Sequence, residues 1–226
     1  MPNNIAWRDV DTVLLDMDGT LLDLAFDRVF WQQIVPDELS RQRQISRPEA
    51  VALLQAAYQE KQHTLNWYCL DYWSDRLSLD IRALTTRHGP NAKLRADTAP
   101  FLAALKAQGK RRILLTNAHP HNLEVKLAHT RLDEHLDLLL STHTFGYPKE
   151  ESVLWQEVTR HTGMAAERTL FIDDSEQILD AATQFGIRYC LGVSNPDSGL
   201  PDKHYQRHQA IGDYRLLIPG INEERP

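Results

Sequence analysis

LLDMDGTLLD, residues 14–23, decides the fold: an apolar run delivers two carboxylates, Asp16 and Asp18, directly ahead of Gly19. An unpaired charge taken into a protein interior costs on the order of several kcal/mol. A buried strand that ends on two of them therefore needs a reason beyond packing.

Short apolar runs like the one before Asp16 recur along the chain. They are TVLLDM (12–17), RILLT (112–116), LDLLL (136–140), TLFI (169–172) and IRYCL (187–191), each suited to a strand buried on both faces. Helical patterns separate the later ones. DTAPFLAALKAQG starts at Asp97 or Thr98 and stops at Gly109, and SEQILDAATQFG repeats the design from Ser175 to Gly186. Strands alternating with helices predict an α/β fold with a doubly wound, mainly parallel, Rossmann-like sheet.

Residues 24–95 break the rhythm, with helical stretches such as PEAVALLQAAYQEK and NWYCLDYWSDRLSLDI and no convincing strand. HGPNAKLRAD reads as the return linker, because Gly89 and Pro90 break the helix. The expected organisation is a catalytic core of residues 1–23 and 96–226 with a helical cap, 24–95, inserted after the first strand.

The composition is that of a globular chain, 42% hydrophobic and 25% charged. A net charge of -6 argues against nucleic acid as the main partner, since phosphate-backbone binding needs concentrated Lys and Arg. The opening MPNNIAWRDVDTVLL has no basic region followed by a long apolar one, and no later stretch is long and apolar enough to cross a bilayer. No membrane association and a cytoplasmic location are expected. The two cysteines, Cys69 and Cys190, fit reduced thiols better than a disulfide framework or a thiolate metal site. Oligomeric state is not legible.

Three further polar clusters follow the later strands: Thr116-Asn117, Lys149 in FGYPKE, and Asp173-Asp174 in LFIDDS. In an open α/β sheet such positions face a common crevice beyond the carboxyl ends of the strands. Two unit charges about 4 Å apart repel by roughly 4 kcal/mol at an effective dielectric of 20, so four gathered acids call for a cation. Mg²⁺ suits a site offering a few protein oxygens, with water and a substrate phosphate completing the octahedron.

The ordered set, DMDGT, a strand-ending Thr, an isolated Lys and a late DD, resembles the haloacid dehalogenase superfamily of aspartate-nucleophile phosphohydrolases over roughly residues 11–195. HTLNWYCLDYW, LLTNAHPHN and LLLSTHTFGYPKE are similar to its purine 5'-nucleotidases. The resemblance implies Mg²⁺-dependent hydrolysis of purine nucleoside monophosphates (GMP, IMP) to nucleoside and phosphate. It makes Asp16 the nucleophile and Asp18 the general acid and base. Thr116, Asn117 and Lys149 become the phosphate-binding residues, and Asp16, Asp173, Asp174 and the Asp18 carbonyl the metal ligands, with Asp174 favoured over Asp173 for direct ligation. In one departure, Ile178 and Leu179 stand where many members place a further acid, and Asp180 comes one place later. Competing expectations are a sugar-phosphate phosphatase or phosphomutase of the same superfamily, a dehalogenase, and a non-catalytic phosphoryl sensor.

Other residues receive plainer readings. Asp23 and Asp27 are expected to stabilise the turn leaving the first strand. His119 and His121 are read as a solvated helix start, since no nearby Cys or third ligand in the sequence supports zinc, with His119 kept as a substrate contact. The aromatic set Trp31, Tyr58, Trp67, Tyr68, Tyr72 and Trp73 reads one by one as packing, and together as a supply of rings for stacking a base.

Overall fold

A computed structural model describes residues 5–223 of the chain. Met1–Asn4, part of the opening read for a targeting signal, and the last three residues of the expected core lie outside the described residues. Among the described residues six strands form one parallel sheet in the order β3-β2-β1-β4-β5-β6. They are β1 (Thr12–Leu15), β2 (Arg111–Thr116), β3 (Leu138–Ser141), β4 (Thr169–Asp173), β5 (Tyr189–Val193) and β6 (Gln209–Ile211). This is the doubly wound Rossmann order, with the chain reversing direction across the sheet on either side of β1.

β1 is buried throughout and serves both layers, because side chains alternate across a strand. Val13 and Leu15 pack with Phe101, Leu102 and Leu105, which come from α7 (Thr98–Ala107). Leu14 packs with Leu154, Trp155 and Val158 of α9 (Ser152–Thr162) and Leu179 of α10 (Glu176–Phe185). β1 is shorter than expected: Asp16 and Met17 leave the ladder, although the Asp16 N–H still donates to the Ile172 carbonyl (3.0 Å). β6 was not anticipated. Among the described residues its three residues pair only with β5, at the sheet edge, and carry no apolar run.

Residues 24–95 hold helices α1 (Ala25–Val29), α2 (Val35–Arg43), α3 (Arg47–Gln59), α4 (Leu65–Tyr68), α5 (Leu70–Leu77) and α6 (Ile81–His88). A single π-helical turn, Phe30–Ile34, joins α1 to α2. Ser46 and Glu49 form a reciprocal capping box at the start of α3. The stretch NWYCLDYWSDRLSLDI is not continuous. Cys69 is extended (φ -87°, ψ 110°) and caps α5, its Sγ accepting from the Tyr72 N–H, while Ser78 ends α5 in the left-handed region (φ 55°). These helices share a hydrophobic cluster of their own, including Phe30, Leu39, Leu54, Trp73 and Ile81. Entry and exit run side by side: the Asp23 N–H donates to the Lys93 carbonyl (2.9 Å) and the Arg95 N–H to Leu21 (3.0 Å). Beyond β2, α8 (Pro120–Thr130) returns to β3, and α11 (Ile218–Glu223) closes the described chain. No helix among the described residues is long and apolar enough to cross a membrane.

Candidate active site

Parallel pairing places Asp16, Thr116-Asn117 and Asp173-Asp174 together, because β1 lies between β2 and β4 and all three end at the same edge. Asp16 is one residue past β1, Thr116 ends β2 and Asp173 ends β4. Carboxylate oxygens of Asp16, Asp173 and Asp174 come within 4.8 Å of one another. Lys149, wholly buried, reaches in from the segment after β3, and its Nζ donates to Asp16 Oδ1 and Asp173 Oδ2, both at 2.6 Å.

Gly19 lets this cluster close. It sits in the left-handed region (φ +83°), and a Cβ there would lie 2.9 Å from Asp174 Cγ and 3.1 Å from the Pro196 Cβ. Any side chain would push Asp174 away and strain the turn. The two late acids are used differently. Asp173 also accepts from the Ser175 N–H (2.8 Å), so both of its oxygens are engaged. Among the described residues the Asp174 carboxylate makes only a 3.9 Å approach to Lys203 through Oδ2. That asymmetry leaves Asp174 better placed to meet a cation directly.

The Asp18 carboxylate turns away from the cluster. Its Oδ1 accepts from Lys126 Nζ (2.7 Å), which also donates to both oxygens of Asp27 (2.7 and 2.8 Å). Asp27 therefore does not serve the turn, as had been expected, but helps to hold a fully buried lysine. Asp23 does serve it, accepting from the Ala25 N–H (2.9 Å). Lys126 was missed, although the sequence carries a signal: with Leu123, Leu127 and Thr130 it shares the i, i+3, i+4 face of α8.

The Asn117 side chain is occupied by structure. Its Oδ1 accepts from the Thr142 hydroxyl (3.0 Å) and the Lys149 N–H (2.9 Å), and its Nδ2 donates to Glu150 (3.1 Å). Glu150 in turn accepts from the Tyr68 hydroxyl of α4 (2.8 Å), tying the insertion to the sheet. Thr116 Oγ1 accepts from the Ala118 N–H (3.0 Å), leaving its proton free to donate. Asp180, the displaced acid, pairs instead with Arg207 and His208. His119 does not contact the crevice: its Nδ1 caps α8 and its Nε2 lies 3.4 Å from Asp71.

Burial pushes the Asp18 carboxyl up from 3.8 to about 7, with Asp27 adding to the rise and Lys126 opposing it. Burial likewise raises Asp173 to about 8 and Asp174 to about 6, with the Asp16 charge contributing to both. An acid raised in this way holds a proton in the folded chain that the unfolded chain has released, so stability falls as pH climbs through the raised value. Below about 6.5 the burial-lowered His143 (about 4) acts with the opposite sign. The clean window is thus about pH 6.5 to 8. Without divalent cations the melting temperature should fall across it, and added divalent cation should restore it most at the alkaline end. A melting temperature that rises with pH across this window would contradict the buried-acid reading.

Asp16, Asp18, Thr116, Asn117, Lys149, Asp173 and Asp174 line one crevice of about 520 Å³, within the range of small-molecule sites. The same crevice is lined by Arg28, Trp31, Tyr58, Trp67, Tyr68 and Trp73 from the insertion. Its oxygen-only acidic cluster fits a hard divalent cation.

The chain matches the haloacid dehalogenase-like hydrolase profile over residues 10–186. It is 68% identical over 218 residues to the GMP/IMP nucleotidase YrfG of Escherichia coli (strain K12), covering 96% of this chain and 98% of the relative. Enolase-phosphatase E1 of Nocardia farcinica is 32% identical over 124 residues, 54% of this chain and 52% of that protein. Among solved structures, a HAD phosphatase from Thermococcus onnurineus superposes with a TM-score of 0.81 at 22% identity, over 96% of this chain and 100% of that one.

Proposed function

We propose, from the premise that the chain belongs to the haloacid dehalogenase-like hydrolases, that it is a Mg²⁺-dependent 5'-nucleotidase that hydrolyses purine nucleoside monophosphates such as GMP and IMP. The observation that carries this reading is a single crevice lined both by the carboxylate and lysine cluster and by aromatic rings of the insertion. Phosphate chemistry and a surface for a flat base are thereby available to one ligand. The 68% identity to a GMP/IMP nucleotidase supports the choice of base.

Asp16 attacks phosphorus in line, and the bond to the ester oxygen breaks as Asp18 gives its proton to that oxygen. The phosphoryl group is then on Asp16 and the nucleoside is free. Asp18, now a carboxylate, takes a proton from water, which attacks phosphorus and releases inorganic phosphate and Asp16. The Lys149 ammonium, the Thr116 hydroxyl and the Asn117 backbone N–H hold the phosphoryl oxygens. Asp16, Asp173, Asp174 and the Asp18 carbonyl would hold Mg²⁺, which when bound screens the gathered carboxylates and the phosphoryl charge.

Residues 24–95 act as a cap over a core of residues 1–23 and 96–226, closing the crevice to bulk water and selecting the leaving group. Their separate hydrophobic cluster and their paired entry and exit strands of chain support this division. A phosphate-release screen over nucleotides and sugar phosphates, with and without Mg²⁺, tests the whole reading. The expected result is Mg²⁺-dependent release, fastest from GMP and IMP. An isomerised ester without free phosphate, or release that survives chelation, would replace it with a mutase or with metal-independent chemistry.

A further inference from the structure

Three residues from distant parts of the chain meet outside the crevice. Cys69 lies between α4 and α5 in the helical insertion, His119 caps α8 after β2, and His143 lies in the turn Thr142–Thr144 after β3. One ligand atom from each falls within 4.8 Å of the others. Close neighbours in the chain give His119 no cysteine, whereas the fold supplies both a thiol and a second imidazole.

His143 Nε2 is fully buried and has no hydrogen-bond partner among the described residues. A buried ring nitrogen left this way bears its full desolvation penalty. In the metal-free chain His119 Nδ1 accepts from the His121 N–H (3.2 Å), so Nε2 carries the ring proton; ligation through Nε2 takes the other tautomer, with the proton on Nδ1, and gives up that contact. Asp71 Oδ2 lies 3.4 Å from Nε2, and Asp71 is fixed by Arg82 through two hydrogen bonds (2.5 and 2.7 Å). That carboxylate faces the Nε2 proton in the metal-free chain and yields the nitrogen to the cation when His119 ligates.

We propose that Cys69, His119 and His143 form a binding site for a borderline-soft divalent cation of the zinc class, distinct from the acidic cluster and joining the helical insertion to the sheet. The donor set decides the ion: one sulfur and two imidazole nitrogens suit Zn²⁺ or Co²⁺, whereas Mg²⁺ takes oxygen ligands. Tetrahedral zinc holds such atoms roughly 3.5 Å apart, so side-chain movement of about 1 Å completes the site, with water in the fourth position. Coordination takes Cys69 as the thiolate and releases its proton to solvent, with no change of oxidation state. Because Cys69 comes from the insertion and both histidines from the sheet's loops, the ion clamps one to the other.

The test is a Co²⁺ titration of the full-length, chelator-stripped protein in excess Mg²⁺, which occupies the acidic cluster. The expected result is sulfur-to-cobalt charge-transfer absorption that saturates at one equivalent, is displaced by Zn²⁺ and is accompanied by a raised melting temperature. Cys69→Ser should abolish the band, His143→Asn should weaken Co²⁺ binding at least tenfold, and Cys190→Ser should leave both unchanged. Should Cys69→Ser fold poorly, the His143→Asn and Cys190→Ser pair still decides the matter. No charge-transfer band in the unmodified protein, unchanged affinity in His143→Asn, or loss of the band in Cys190→Ser would each overturn the proposal.

Discussion

Asp16→Asn should lower kcat by roughly 10⁴-fold or more, the scale seen when a nucleophile that acts together with its partners is removed. The amide is nearly the same size and keeps an oxygen for Lys149, whose Nζ lies 2.6 Å from Asp16 Oδ1. It cannot form the aspartyl phosphate. The fold should therefore survive, and the melting temperature measured without divalent cation should not drop, because one charge has left a crowded group of acids. Divalent cation should stabilise the variant less than the parent. Phosphate release from GMP by the folded, purified variant within about tenfold of the parent would remove Asp16 from the nucleophile role.

Asp18→Asn should slow turnover by roughly 10²- to 10⁴-fold, the range for losing general acid–base catalysis. The effect should fall on kcat more than on KM, because the role proposed for Asp18 is proton transfer to the leaving oxygen and not binding. Burial raises Asp18 to about 7, so the acid form needed for ester cleavage is lost as pH rises through that value, while the base form needed for the second step is lost as pH falls through it. Lys126 opposes the rise, since its Nζ is 2.7 Å from Asp18 Oδ1. Lys126→Met removes the charge that opposes the rise, so the activity profile should move to higher pH. A profile that stays in place, or a loss below tenfold in Asp18→Asn, would contradict the assignment.

Much of the candidate site is legible in the chain because its residues sit at strand ends. A buried parallel strand is a short apolar run, and whatever polar residue follows it must emerge at the sheet's edge. Asp16, Thr116, Asn117, Asp173 and Asp174 all obey that rule, and the sheet places them side by side. Lys149 follows no strand directly, and its place rests on the resemblance and on the hydrogen bonds it makes with Asp16 and Asp173. The expectation failed where partners lie far apart in sequence and on different elements. Asp27 was read locally as a turn residue, but its partner Lys126 is 99 positions away. β6 carries too few apolar residues to be recognised without β5 beside it.

The sequence by itself determined the alternation of strand and helix, the helical insertion and the order of the acids, because these follow from local periodicity and from residues that start or stop elements. The tertiary structure alone decided which side chains share an environment. It gave Asp18 a lysine and a second aspartate, gave Asp174 freer oxygens than Asp173, and brought Cys69 to two histidines. The physical reason is range: helix and strand preferences act over a few residues, whereas hydrogen bonds, desolvation and metal coordination depend on distances in space that no local pattern records.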